Sequence, residues 1–570
     1  MTFSFLASRT WLLPVVTFYL NIHPVIAQTQ FRTRPDLVPA PWNVTFTNTS
    51  AGSLSDSSFI FMAPRVQSPT GLMILDNNGQ LVWLNNDSSV QGAFDFRPQN
   101  WKGQTYLTYW SGTASTAGFG KGFVYMLDST YQITHNFTAT NMSDFHEFHI
   151  NADGTAVTSV YSLLTTVDTT GKNFGQANSF VWDGCLQELN IDTGEPASFD
   201  FCSLEKGISL FDSFTDPNAP PVDENSGWDY VHVNSAEKDA TGNYLMSARH
   251  THTVYYIDGS TGEILWRLGG MNSNFTGDGN EFGWQHDARW IGEKSMSSDD
   301  LQSANSGGKR RLTIYDNASS GFDNTGTESR GILVELDFSA MSATIITTYH
   351  SPGGETTLLS ASQGNVQWFA DHSELNSDNV LMSYGSVPVF AEYTNSGDAI
   401  RVVHYGTSDS AQGYRIFRDT WTGTPTTAPD AVIQDGVLYV SWNGATEVTQ
   451  WTVQQGDSQD NLGNDTTVQK SGFETAINID TTKGATQVMA IDKNGKTLAK
   501  SNVLGADGSN MGGAVNGTAT LGSDGSGSGS GSNNGGGDDD NGAIASLASS
   551  ASIFCGVVAV LSLLVGTTIF

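Results

Sequence analysis

Histidine and arginine gather in four stretches of this chain, and their types limit the chemistry available. Asp144-FHEFHINADG carries His146 and His149. Gly227-WDYVHVNSAEKDATGNYLMSARHTHT carries His232, Arg249, His250 and His252. Phe282-GWQHDARW carries His286, Asp287 and Arg289, and Trp368-FADHSELNSDNVLMSYG carries His372. A neutral imidazole is a capable nucleophile near neutral pH. A guanidinium presents fixed donors that suit a tetrahedral oxyanion such as sulfate. Other chemistries fit less well. HEFH is not the HExxH of a zinc site, and no further ligands are evident, so no metal and no cofactor are expected. No G-x-S-x-G elbow and no phosphate loop is present. A glycosidase needs two carboxylates facing each other across a cleft, and sequence cannot place such a pair.

Short strands must position these residues. Residues 50–410 hold apolar, β-rich runs broken by Gly, Asn, Asp and Ser turns, with no amphipathic helix. A strand–turn–strand pattern recurs around Asp76, Asp128, Asp192, Asp258, Asp337 and Asn395. Units of several strands cannot bury both faces alone, but a ring of them can. The expected fold is therefore all-β: a six-bladed β-propeller over 28–425, with loops on one face converging near its axis. Residues 426–505 alternate in the two-residue period of a half-exposed sheet. They are expected to form a small immunoglobulin- or fibronectin type III-like β-sandwich.

Three stretches resemble the arylsulfotransferase family, especially a secreted fungal branch: His146-EFHINADGTAV, Trp228-DYVHVNSAEKDATGNYLMSARHTHTVYYIDGSTGEILWRLGG and Phe282-GWQHDARW. The resemblance spans roughly 55–420. It implies a six-bladed propeller and transfer of a sulfuryl group from a phenolic sulfate ester to a phenol, with no nucleotide donor. By resemblance, His286 would carry the sulfuryl group, His232 and Arg249 would bind its oxygens, and His146 would be the remaining site histidine. His149, His250 and His252 are expected to contact substrate, with His149 competing for the place of His146. Glu147 and Asp287 are candidates to orient imidazoles, and His372 is expected to be structural. A different class also fits the pattern: a non-catalytic surface propeller that binds a glycan or a small aromatic.

Charge and chain ends supply the setting. The 570 residues carry 26 Lys+Arg against 58 Asp+Glu, a net charge of −32, which disfavours nucleic acid as a partner. Residues 1–27 read as a secretory signal, with Arg9 before the apolar run Trp11–Leu20. Residues 506–541 read as a Gly/Ser/Asp-rich linker. Residues 542–570 read as a removable GPI-attachment signal, with Asn541 as attachment residue and Asn534 or Ser549 as alternatives. The expected location is the outer cell surface, tied to the membrane by lipid. Sequons stand at Asn43, Asn48, Asn86, Asn136, Asn141, Asn274, Asn317, Asn464 and Asn516, all expected to be glycosylated. Of three cysteines, Cys555 would leave with the tail, so Cys185 and Cys202 are expected to pair as a disulfide.

Overall fold

The recurrent Asp/Asn positions all fall at the same structural place. A computed structural model describes residues 30–517, apart from 49, 53–57, 67–69, 91, 116–117, 293–295, 353–356, 370–377 and 408–409. In it, each marker sits in or at the start of the turn between the third and fourth strands of an antiparallel meander. Asp76 Oδ1 accepts from the Asn78 and Gln80 amides, and Asp128 from Thr130 and Gln132. Asp258 and Asp337 close their turns in the same way. Such a carboxylate mimics a backbone turn and favours a hairpin over a continuing strand. At Asp192 and Asn395 a neighbour takes over: Asn190 accepts from Thr193, and Thr394 from Asp398.

The meanders follow in chain order. Phe59–Met62, Leu72–Leu75 and Leu81–Asn85 form the first sheet, and Phe417–Asp419 from the far end of the chain completes its inner edge. Phe94–Trp101 to Ile133–Phe137 and Ser143–Ile150 to Pro196–Cys202 form the next two, joined where Ser143 pairs with Gly122. Val233–Lys238 to Ile264–Gly269, His286–Ile291 to Ser342–Tyr349, and Asn365–Trp368 to Ala399–His404 complete the series. The leading strands of successive sheets pack on one another, giving a β-propeller-like arrangement.

The core lies between neighbouring sheets. Tyr256 and Trp266 of one sheet pack on Trp290, Leu312 and Ile314 of the next. Each such side chain contributes about 1.5–3 kcal/mol by leaving water. Cys185 and Cys202 face each other across adjacent strands and form the expected disulfide.

The C-terminal part is two sheets. One orders Asp430–Gln434, Val437–Ser441 and Glu474–Asn478; the other orders Leu462–Gln469, Gln450–Gly456, Ala485–Ile491 and Thr497–Lys500. Val440, Trp451, Val453 and Val488 fill the space between them. The N-terminal segment stitches these sheets to the first meander. Phe31 packs on Phe473, Thr33 donates to Glu474, and Leu37 reaches the cluster containing Ile60 and Met62.

Three expectations need correction. A short α-helix, Ser298–Asn305, interrupts the β region; Ser297 caps it and Asp299 and Asp300 favour its first turn. Residues 506–517 are not linker: Met511 and Val515 bond back to Val503 and Lys500 of the sandwich. Asn317 does not fit a glycosylated loop, because it is wholly buried and both its amide hydrogens go to backbone carbonyls, of Ser360 and Gln363. Asn43, Asn86, Asn136, Asn141, Asn274 and Asn516 are exposed and Asn48 is half-buried. The side chain of Asn464 lies outside the described residues, as do 1–29, His372, Asn534, Asn541, Ser549 and the whole of 518–570.

Candidate active site

Irregular backbone at strand ends aims the site residues. His146 lies where the register of Ser143–Ile150 shifts against its partner strand, and His286 opens a strand whose register shifts before Arg289. His232 immediately precedes Val233–Lys238. Arg249, His250 and His252 occupy the turn between Tyr244–Ala248 and Thr253–Ile257. Left-handed backbone is concentrated here. His232, His252, Trp284, Asp287, Ala318 and Gln363 all have φ between 50° and 67°. None is glycine, so each costs free energy that the surrounding packing must offset, a pattern common at functional sites.

Four imidazoles and one guanidinium converge. The rings of His146 and His232 lie 4.7 Å apart, and those of His232 and His250 4.6 Å apart. Arg249 Nη1 is 2.9 Å from His250 Nε2. His286 and Arg249 meet the same short segment: the Gln363 amide donates to His286 Nε2 at 3.1 Å, and Arg249 Nη2 donates to the Ala361 carbonyl at 2.8 Å.

The hydrogen bonds set one tautomer throughout. His146 Nδ1 meets Asp144 Oδ2 at 2.6 Å, and His232 Nδ1 meets Asp229 Oδ2 at 2.5 Å. His250 Nδ1 meets the Asp229 carbonyl at 2.7 Å. His286 Nδ1 meets Asn317 Oδ1 at 2.7 Å, the amide being oriented by its own donations. Each partner atom is an acceptor, so each Nδ1 carries the proton and each Nε2 presents a lone pair. His286 Nε2 receives the Gln363 amide at 3.1 Å, and His250 Nε2 receives Arg249.

Burial holds three of these rings neutral. His232, His250 and His286 are pushed well below the usual histidine value, first by desolvation and then by neighbouring imidazoles and Arg249. Desolvation raises Asp229 to about 6 and lowers Arg249 to about 10, which leaves the guanidinium charged at neutral pH. Arg249 Nη2 donates to the Ala361 carbonyl at 2.8 Å, and its guanidinium lies 5.2 Å over Trp284. Its Nε is buried with no partner among the described residues. Asp229, His232 and His250 bring three possible metal ligands within 4.8 Å of one another. The fixed charge of Arg249 against this trio favours an anion over a cation.

Other predicted residues fall outside the cluster. His149 is half-buried opposite Val157, and none of the cluster's ring contacts includes it. His252 stacks on Phe214 at 4.0 Å and meets Trp284 edge-on at 4.4 Å, forming an aromatic wall beside Arg249. Glu147 and Asp287 do not orient the imidazoles of the cluster, whose Nδ1 atoms meet Asp144, Asp229 and Asn317. They belong to a buried ion network with Asp95, Arg97, Arg289 and Arg415.

The orienting groups are Asp144, Asp229 and Asn317. All three were missed in the sequence; for the first two the available signal is an acid two or three residues before a histidine. Asn317 comes from 31 residues away and Gln363 from 77, with no local signal.

A model of the Arylsulfotransferase (ASST) family matches residues 97–406, more than half of the chain and all five converging residues. No curated protein is significantly similar to it. Among solved structures, a Bacteroides caccae protein of unknown function shares 10% identity at a TM-score of 0.35, over 64% of this chain and 99% of its own. A Dyadobacter fermentans protein of unknown function shares 9% at 0.32, over 64% and 98%. The Bombyx mori GH32 β-fructofuranosidase BmSUC1 shares 12% at 0.27, over 73% and 84%. These likenesses are too remote to carry an argument. The family match alone suffices: the chain belongs to the arylsulfotransferase family.

Proposed function

We propose that this protein moves a sulfuryl group from a phenolic sulfate ester to a phenol through a sulfated His286. The observation that carries the reading is the convergence of His146, His232, Arg249 and His286, each imidazole anchored at Nδ1. Neutral His286 is a ready nucleophile. Its Nε2 leaves the Gln363 amide and attacks sulfur, and the bond from sulfur to the aryl oxygen breaks; the aryl group leaves as a phenolate, which takes the proton that His146 gained from the acceptor of the preceding turnover. Arg249 flanks the sulfuryl oxygens, where its fixed charge in a dry site stabilises the transition state; His232 joins it as a donor once Nε2 is protonated, with Asp229 holding the imidazolium. In the second half, a phenol attacks sulfur and the bond to His286 breaks. His146 Nε2 takes the phenolic proton, and Asp144 stabilises the imidazolium that forms. The aromatic wall of Trp284, His252 and Phe214 suits an aryl ring.

The wider reading follows the same sequence logic. The six meanders are taken as six propeller blades. The two C-terminal sheets, with strands one, two and five facing strands four, three, six and seven, are taken as a fibronectin type III-like sandwich. A fungal origin, a cleaved leader, glycans on the exposed sequons and a lipid anchor after Asn541 would place the enzyme on the outer cell surface.

The test is incubation with excess 4-nitrophenyl sulfate and phenol. The expected result is nitrophenol release and a His286 peptide carrying one added sulfuryl mass. No turnover across several donors, with no sulfated peptide, would leave a binding protein instead.

A further inference from the structure

Arg65 is a buried cation that this mechanism does not use. It lies on Pro64–Val66, a short strand paired, among the described residues, with Ala411–Gly413 alone. The residue is 8% exposed and has no ion pair with a carboxylate among the described residues. Its Nη2 donates to Gln363 Oε1 at 2.6 Å, and its Nη1 is buried with no partner among the described residues. The guanidinium lies 3.6 Å over the Phe94 ring. Burial lowers its pKa to about 10, so it stays charged near neutrality. An unmet buried donor is costly, and more so when charged.

Nearby arginines show how this fold treats structural cations. Arg97, Arg289 and Arg415 each meet carboxylates. Arg65 and Arg249 do not, and both hold one short segment. Arg249 grips the Ala361 carbonyl and Arg65 the Gln363 side chain, while the Gln363 amide occupies His286 Nε2. The two approach from different sides. Phe94, beneath Arg65, stacks on Phe145 at 4.0 Å, and Phe145 meets the His146 ring at 4.3 Å. Arg249 stands against His250 and Trp284.

We propose that Arg65 is a second anion-binding residue of this site, its unmet Nη1 receiving an oxyanion oxygen of the aryl substrate. That oxygen belongs either to the sulfuryl group in transfer or to an acidic substituent on the ring. No bond is made or broken. A charged acceptor replaces or joins the neutral amide oxygen of Gln363 and makes the stronger hydrogen bond. The inference rests on the proposed transfer reaction for the identity of the anion, but not for the presence of an anion site.

The test compares Arg65→Gln and Arg65→Lys with the unaltered full chain. Transfer from 4-nitrophenyl sulfate is measured with phenol and with 4-hydroxybenzoate as acceptors. Binding of inorganic sulfate and of 4-hydroxybenzoate is measured separately by calorimetry, which needs no turnover. Arg65→Gln is expected to weaken anion binding at least tenfold and raise the corresponding KM, with Arg65→Lys recovering part of the loss. Loss with sulfate and with both acceptors identifies the sulfuryl group; loss confined to 4-hydroxybenzoate identifies a ring acid. Arg65→Gln within twofold of the unaltered protein in every arm overturns the proposal. Should that variant not fold, Gln363→Asn shortens Arg65's amide partner while keeping its charge. It should bind anions as tightly or a few-fold tighter, and weaker binding overturns the proposal. Sulfate binding that depends on Arg65 without any turnover by the unaltered protein would keep the anion site and reject the transferase.

Discussion

Two neighbouring layers of this molecule share strands yet treat charge in opposite ways. His146 and Glu147 are consecutive, as are His286 and Asp287. The histidine of each pair enters the cluster; the acid enters the ion network. In the network three carboxylates meet three guanidiniums, and Glu147 alone contacts Arg97, Arg289 and Arg415. Burial would raise Glu147, but those arginines hold it well below the usual carboxylate range. The cluster is the reverse: burial keeps His232, His250 and His286 neutral, and Arg249 has no carboxylate ion pair among the described residues. A saturated network locks position. An unsaturated one keeps a charge in reserve for a ligand.

The largest expected effect separates the layers by activity. His286→Ala should cut sulfuryl transfer by roughly 10³-fold or more, with the thermal midpoint little changed, because it removes the nucleophile and not the frame. Nitrophenol release and a melting curve check both halves. Residual transfer within tenfold would move the nucleophile to another histidine. Glu147→Ala should do the opposite and cost about 3–5 kcal/mol of stability by stranding buried arginines. A melting midpoint within a degree of the unaltered protein would mean that the network is not structural.

Orientation comes next. Asp144→Asn leaves the volume unchanged but replaces an acceptor-only group with one that can also donate, which loosens the His146 tautomer. Turnover should fall roughly 10²-fold with the fold kept, and the pH–rate profile should shift. Asp229→Asn should act likewise through His232. An unchanged profile in both variants would reduce these acids to structural contacts.

How much of this was legible follows from what is local. The turn markers were readable because Asp76 and Asp128 cap their own hairpins within four residues. The histidines and Arg249 stood out by type, and the disulfide by its even pair of cysteines. Asn317 was misread: Asn-Ala-Ser is a sequon on paper, but its side chain spans from His286 to the backbone of the 360–363 segment. Glu147 and Asp287 were misassigned because adjacent residues on a strand point opposite ways, and a register shift decides which enters the site. Arg65 left no signal at all. Its partner Gln363 lies 298 residues away and reaches it only when the ring of sheets closes.

The smallest expected effect concerns pH and probes the same contrast without turnover. Desolvation, then Arg249, pushes His252 down to about 3. Below about 6.5 an unfolded chain gains a proton at this residue that the folded chain refuses. Stability must therefore fall as pH drops from that value toward 3, at up to about 1.4 kcal/mol per pH unit. His232, His250 and His286 act in the same direction. Asp229, raised to about 6, acts against them: the folded state keeps a proton between about 3.8 and 6 that the unfolded state loses. Glu147 stays charged in both states above about pH 5, so it adds no slope there. His252→Gln removes one of the buried histidines. Between pH 7 and pH 5 it should lose about 2 kcal/mol less stability than the unaltered protein, read as a smaller drop in melting midpoint. An equal or steeper drop would mean that His252 takes up a proton while folded, and that the wall beside Arg249 is wetter than its stacking on Phe214 implies.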